Sequence, residues 1–142
     1  MKLHIYKETG GRLPVKRLEK MFDKLSAEEK KPGWQGNVNL VIIDDDRMRE
    51  LNKRFRKIDK TTDVLSFNID TPDCEESLLG EVYVSAPTAA RQARDNNVTP
   101  AEEIVRLSCH GFLHLFGYDH VKKKDAEQMK SLEDYFVEFS GR

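Results

Sequence analysis

Three of the chain's four histidines fall within eleven residues, His110-Gly111-Phe112-Leu113-His114-Leu115-Phe116-Gly117-Tyr118-Asp119-His120, and their spacing constrains the backbone around them. On an α-helix, residues four apart lie about 40° apart around the axis and about one turn apart along it. His110 and His114 therefore point the same way and can grip one ion together. Gly117 takes the left-handed conformation that ends helices, so the chain beyond it can swing His120 back as a third ligand. Neutral imidazole nitrogen is a favoured zinc ligand, and three protein ligands with one open position make the pattern of a catalytic site. The spacing predicts one zinc ion per chain on His110, His114 and His120, at the end of a helix.

The residues before the histidines support that helix. Thr99 can cap it, Pro100 suits the first helical position and Glu102 completes a capping box, so the helix is predicted to run over residues 100–116. Ile104, Val105, Cys109, Phe112, Leu115 and Phe116 form a broad apolar face. Glu103, Arg106, His110, His114 and Gly117 lie along a stripe away from most of it, with Leu107 intruding at one edge. The same spacing occurs in the long zinc-protease motif H-E-x-x-H-x-x-G-x-x-H, where glutamate acts as general base. Gly111 stands at that position. Peptide hydrolysis needs a proton shuttle to the leaving amine, so the glycine argues against a protease.

Elsewhere the pattern alternates between strands and helices. Strands are predicted at Lys2–Lys7, Asn37–Ile43, 64–69 and 81–84, and helices at 13–30, from 44–46 to about 56, at 86–96 and at 124–139. Pro32-Gly33 stops the first helix, and residues 71–73 and 75–77 read as turns. There is no internal repeat or low-complexity linker. The expectation is an α+β fold over residues 1–142 as a single domain, with a small mixed sheet packed by helices and the metal site at the end of a central helix.

With 142 residues, 38% of them hydrophobic and 35% charged, the chain can bury a real core beneath a solvated surface. No signal peptide is recognisable, and no apolar run is long enough to span a bilayer, so the expected address is the cytoplasm, with no membrane partner. The two cysteines, Cys74 and Cys109, imply no disulfide framework. A net charge of −1 excludes a generally basic nucleic-acid coat. The positive charge is nonetheless clustered, at Lys53, Arg54, Arg56, Lys57 and Lys60 and again at Lys122, Lys123 and Lys124. Such runs are either solvated faces or anion-binding patches.

The histidine segment resembles the H-G-x-L-H-L-x-G-Y-D-H signature of the YbeY family of bacterial rRNA-maturation metalloendoribonucleases. Thr62-Asp63-Val64-Leu65-Ser66-Phe67, preceded by Leu51-Asn52 and Phe55-Arg56, is similar to that family's T-D-V-L-S-F segment. Leu79-Gly80-Glu81-Val82-Tyr83-Val84-Ser85 is similar to its L-G-D-I-x-I-S segment. Two positions depart from the pattern: Thr61 stands where proline is common, and Glu81 where aspartate is common. The resemblance implies a zinc-dependent endoribonuclease specific for single-stranded RNA. It would act on the rRNA precursor in 16S rRNA 3′-end maturation and take part in ribosome quality control with the ribosome or ribosomal proteins. It also implies zinc on the three histidines and an arginine at position 56 that matters for activity. Arg56 would clamp phosphate, with Lys53, Arg54, Lys57 and Lys60 guiding the strand.

Three readings stay open for Asp119: orienting an imidazole, accepting a proton, or closing the turn. Asp63 reads as an acceptor of backbone N–H. Tyr118 and Phe116 are candidates for base stacking or for the core, and Cys109 reads as a small core residue. The alternatives to a nuclease are a peptidase-like zinc hydrolase and a non-catalytic ribosome-assembly factor with structural zinc.

Overall fold

The computed structural model describes residues 1–30, 36–69, 78–119 and 121–142. Among them the chain runs β1 (Lys2–Lys7), α1 (Val15–Glu29), β2 (Asn37–Ile43), α2 (Asp45–Arg56), β3 (Val64–Asn68), β4 (Leu78–Ser85), α3 (Ala86–Asp95), α4 (Pro100–Leu115) and α5 (Lys123–Ser140). The described strands form a mixed sheet in the order β1-β2-β4-β3, in which β1, β2 and β4 are parallel and β3 is antiparallel to β4. This is the α+β architecture with a small mixed sheet that the sequence predicts. The predicted helix stop at Pro32-Gly33, the turns at 71–73 and 75–77, and Cys74 lie outside the described residues.

The pleat of β2 sorts the core. Val38, Leu40 and Ile42 join the larger cluster with Phe22 of α1, Phe112 of α4 and Phe136 of α5. Val41 and Ile43 point the other way, onto Met48 and Leu51 of α2 and Leu65 of β3. Successive strand residues alternate between faces. Because both faces of β2 are covered, its sequence is a continuous apolar run rather than an alternating one.

Two boundaries differ from expectation by more than one residue, for local reasons. Helix α1 begins at Val15 rather than 13 because Pro14 takes the N-cap, and a residue before proline is disfavoured in helical conformation. Strand β4 begins at Leu78 rather than 81 because it is paired on both sides. Asn37 of β2 aligns with Leu78, and Asn68 of β3 aligns with Gly80. Those ladders hold a glycine-containing stretch that has little strand preference of its own.

Helix α2 is fixed at its start by two carboxylates. Asp44 caps it, accepting from the Arg47 N–H at 2.8 Å. Asp45 accepts from Ser85 Oγ at 2.6 Å, Thr88 Oγ1 at 2.7 Å and Arg91 Nη2 at 2.8 Å, joining α2 to the end of β4 and to α3. Burial pushes the Asp45 carboxyl up, but the bonds from Ser85, Thr88 and Arg91 outweigh burial and hold it at about 2. A carboxyl with a lower pKa in the folded than in the unfolded chain adds stability above its unfolded value, near about 4. That stability disappears as pH falls through the folded value.

Asp45→Asn is therefore expected to cost about 1–2 kcal/mol near neutral pH. The gap to the parent chain should narrow between about pH 4 and pH 2, the window between the two pKa values. Denaturant midpoints measured across that range test it, and a gap that stayed constant down to the lower limit would place the effect elsewhere.

Candidate functional site

Helix α4 is the central helix, and both of its ends are determined locally. The Thr99 side chain accepts from the Glu102 N–H at 3.1 Å, with Pro100 in the first turn. Glu102, predicted to complete a capping box, places its carboxylate 3.7 Å from the Arg17 guanidinium. At the other end Gly117 adopts φ +102°. Its N–H reaches the His114 carbonyl at 3.1 Å and the Tyr118 N–H reaches the Leu113 carbonyl at 3.0 Å. This pair of bonds is the Schellman closure that reverses a chain at a glycine.

Along α4 from Glu103 to Leu115, only Arg106, His110 and His114 are not fully buried. They stand four residues apart on one stripe, as predicted. Glu103 departs from the expectation that it too lies on the open stripe. It is buried beside α3, where the Asn96 side-chain amide donates to it at 3.4 Å. Burial pushes its carboxyl up.

The two histidines converge. Their Nε2 atoms are 3.1 Å apart, with the rings steeply inclined at 78°. Two imidazole nitrogens on a tetrahedral zinc, each about 2.05 Å from the ion, stand roughly 3.3 Å apart, so the pair has the separation such an ion requires. His110 Nδ1 lies 3.0 Å from Glu133 Oε2 of α5. With its Nδ1 proton directed at that carboxylate, the ring presents Nε2 as the lone-pair donor. His120, the third predicted ligand, lies outside the described residues. Among those residues no group of three His, Cys, Asp or Glu side chains gathers around one point.

Glu133 is the site residue that sequence reasoning missed. Asp119 accepts from the Val121 N–H at 3.2 Å, the bond of its turn-closing reading. A signal was present in α5. Position 133 lies four residues after Met129 and three before Phe136, both fully buried, so a carboxylate there must face inward and needs a partner.

A cleft of about 640 Å³ opens in front of the histidines. Its walls are Arg56 at the end of α2, residues 62–68 leading into and along β3, and His110 and His114 of α4. Strand β3 is an edge of the sheet, bonded on one side to β4. Its pleat turns Ser66 and Asn68 toward α4, where they donate to the carbonyls of Gly111 at 3.0 Å and Leu115 at 3.1 Å. Asp63 accepts from the Val64 N–H at 2.8 Å and from Gln92 Nε2 at 3.2 Å, the structural acceptor role expected of it.

Of the five clustered basic residues, Arg56 alone lines the cleft; Lys53, Arg54, Lys57 and Lys60 are exposed around it. Lys57 ends α2 in the left-handed conformation with φ 61°, and Asn52 Nδ2 donates to the Lys60 carbonyl at 2.8 Å, folding the basic segment back on the helix. Arg47 and Arg49 pair with Glu8, Glu50 and Asp59, whereas among the described residues none of those five cations forms an ion pair. Phe116 is buried, and the Tyr118 hydroxyl donates to Glu29, so both belong to the framework rather than to a stacking surface. Cys109 is fully buried, and burial pushes its thiol up, as befits a core residue.

Gly111 sits where α4 packs directly against the sheet. A Cβ there would lie 2.4 Å from Val82 Cγ1, 3.1 Å from Ser66 Oγ and 3.2 Å from Val64 Cγ2. The place a zinc peptidase gives to its glutamate is thus filled by the sheet.

Comparison with known proteins agrees on one family. The family described as endoribonuclease YbeY matches residues 5–141. A protein named endoribonuclease YbeY from Desulforamulus reducens is 40% identical over 83% of this chain and 81% of its own. Its namesake from Persephonella marina is 38% identical over 94% of this chain and 89% of its own. A solution structure of a Thermotoga maritima protein is similar with a TM-score of 0.65 and 34% identity, covering 97% of this chain and 88% of that one.

Gly111→Ala removes about 1 kcal/mol of helix penalty but forces a methyl group into the buried, branched Val82. The expected net effect is a loss of about 1–2 kcal/mol, partly recovered when Val82→Ala is added. Thermal melts of the single and double variants check it, and a single variant more stable than the parent would refute the close-packing account.

Proposed function

The chain belongs to the endoribonuclease YbeY family, and from that premise we propose that it is a zinc-dependent endoribonuclease specific for single-stranded RNA. Its place would be the bacterial cytoplasm, in 16S rRNA 3′-end maturation and ribosome quality control, acting on the rRNA precursor in contact with the ribosome or ribosomal proteins. Among the described residues no helix is long and apolar enough to cross a membrane. The observation that supports the reading best is the shared cleft, in which a guanidinium and a converging histidine pair face one cavity along β3.

His110, His114 and His120 would hold one zinc ion, which when bound would polarise a phosphoryl oxygen. Glu133 keeps the His110 ring in the orientation and tautomer that present Nε2. Arg56 supplies the protein's own electrostatics. A phosphodiester in transition carries extra negative charge on its equatorial oxygens, and a planar guanidinium can meet two of them at once. The exposed Lys53, Arg54, Lys57 and Lys60 add a positive approach that draws in a polyanion. An extended single strand suits a cleft along β3, whereas duplex pairing holds its backbone in a fixed helical path.

The chemistry also favours phosphate over amide. Amide cleavage needs a base that carries a proton from water to the leaving amine, and the close contact at Gly111 leaves no room for the glutamate that does so in zinc peptidases. For phosphate, charge neutralisation is the larger demand.

Zinc-loaded protein is expected to cut single-stranded RNA, largely spare duplex RNA and leave an unfolded polypeptide intact, with activity lost to chelator and reduced by added salt. Arg56→Ala should retain zinc while lowering cleavage about 100- to 1000-fold, and Arg56→Lys should restore only part of it. Cleavage of polypeptide but not RNA would replace the nuclease reading with a peptidase-like one. In a separate measurement, Glu133→Ala should weaken zinc binding roughly tenfold to a hundredfold in chelator competition. Unchanged affinity would remove Glu133 from the support of His110.

A further inference from the structure

The apolar stripe of α2 runs Met48, Leu51, Phe55, at the helical spacing of a core face. Met48 and Leu51 are buried under the sheet as that pattern requires, but Phe55 is 54% exposed. The stripe outruns the surface that covers it, leaving most of an aromatic ring in solvent. The ring packs against Phe67 of β3, whose side chain lies with α2 on the sheet face opposite the one that Ser66 and Asn68 turn to α4. Its centroid is 5.2 Å from that of Phe67, which lines the cleft and stands in turn 5.8 Å from Tyr83. The Arg54 guanidinium carbon is 5.3 Å from the Phe55 centroid, and the next residue in the chain is Arg56, itself in the cleft wall.

We propose that Phe55, backed by Phe67, is a nucleobase-stacking subsite that takes a base of a single-stranded polynucleotide whose phosphate lies at Arg56. A flat apolar ring beside Arg54 and Arg56, which form no ion pair among the described residues, suits a nucleotide better than an apolar peptide, because a base offers a π-face while its phosphates answer the charge. Each cation here has a counter-charge to find, and among the described residues no carboxylate pairs with Arg54 or Arg56. Stacking also accounts for a preference for single strands, since a base already paired in a duplex cannot leave its own stack for the ring without unpairing. The subsite does not discriminate by hydrogen bonding, so it accepts any base.

The inference rests on the RNA reading of the cleft, and the test separates the two. A fluorescent single-stranded 2′-O-methyl RNA, chosen to resist cleavage, is titrated with the full chain, beside an oligonucleotide of the same length and backbone lacking bases. The parent protein is expected to bind the base-bearing strand roughly tenfold or more tighter. Phe55→Ala should lose that preference and bind both strands alike, Phe55→Tyr should keep it, and the salt dependence of binding should be the same in all three because no phosphate contact has changed. Arg56→Ala should instead weaken both strands and make the salt dependence shallower. A base preference that survives Phe55→Ala overturns the subsite and leaves the nuclease reading intact. Failure of the parent protein to bind either strand overturns both. A dimer in sedimentation that dissociates on Phe55→Ala would assign the ring to a contact between copies of the chain and also overturn the subsite.

Discussion

Helix α4 lies against the sheet at a distance that only glycine permits at position 111, and the candidate site is built on that contact. The helix backbone is drawn onto Val82, Val64 and Ser66, and the carbonyls of Gly111 and Leu115 are bonded by side chains of the edge strand. Seated so deeply, the helix buries nearly every side chain from Glu103 to Leu115. The exception is the stripe that includes Arg106, His110 and His114, the positions that look past the sheet's edge rather than into it. Close packing of this kind is rigid, and rigidity is what holds a pair of ligand nitrogens converged.

The cleft is assembled from elements far apart in the chain. Arg56 ends a helix whose opposite end is anchored by Asp45 to β4 and α3, so the position of the guanidinium depends on a bond network distant in sequence from the histidines. Glu133 arrives from the last helix, which reverses at Gly117 and packs back along α4. The His110 ring is thus fixed from behind by one element, while the cleft in front of it is walled by two others. Among the described residues the basic cluster around Arg56 forms no ion pair, while Glu50 and Asp59 pair with Arg47 and Arg49.

Much of the fold was readable because local rules and tertiary demands coincide. The β1 and β2 strands, the Asp44 and Thr99 caps and the glycine closure of α4 are each specified by residues next to one another, and the structure has them where the sequence puts them. The histidine spacing carried information for the same reason, since two residues four apart on a helix must share a face whatever surrounds it. Cys109 is the core residue its sequence context predicts, and of the two readings for Phe116 and Tyr118 the structure has the packed one.

What required the tertiary structure was every relation across elements. Glu133 could be recognised as an inward-facing carboxylate, but its partner, His110, lies 23 residues away and is chosen by how α5 returns along α4. Glu103 was assigned to the open stripe because helical periodicity cannot tell a face looking into a cleft from one covered by α3. Strand β4 extends past its own propensity because neighbours on both sides supply its hydrogen bonds. Sequence alone determined which side chains share a helix face, where helices stop, and that Gly111 is no base, since these follow from backbone geometry over a few residues. Only the packed structure decided that Arg56 shares a cleft with the histidines, which carboxylate holds His110 and why Phe55 stays in solvent, because those depend on how the elements pack.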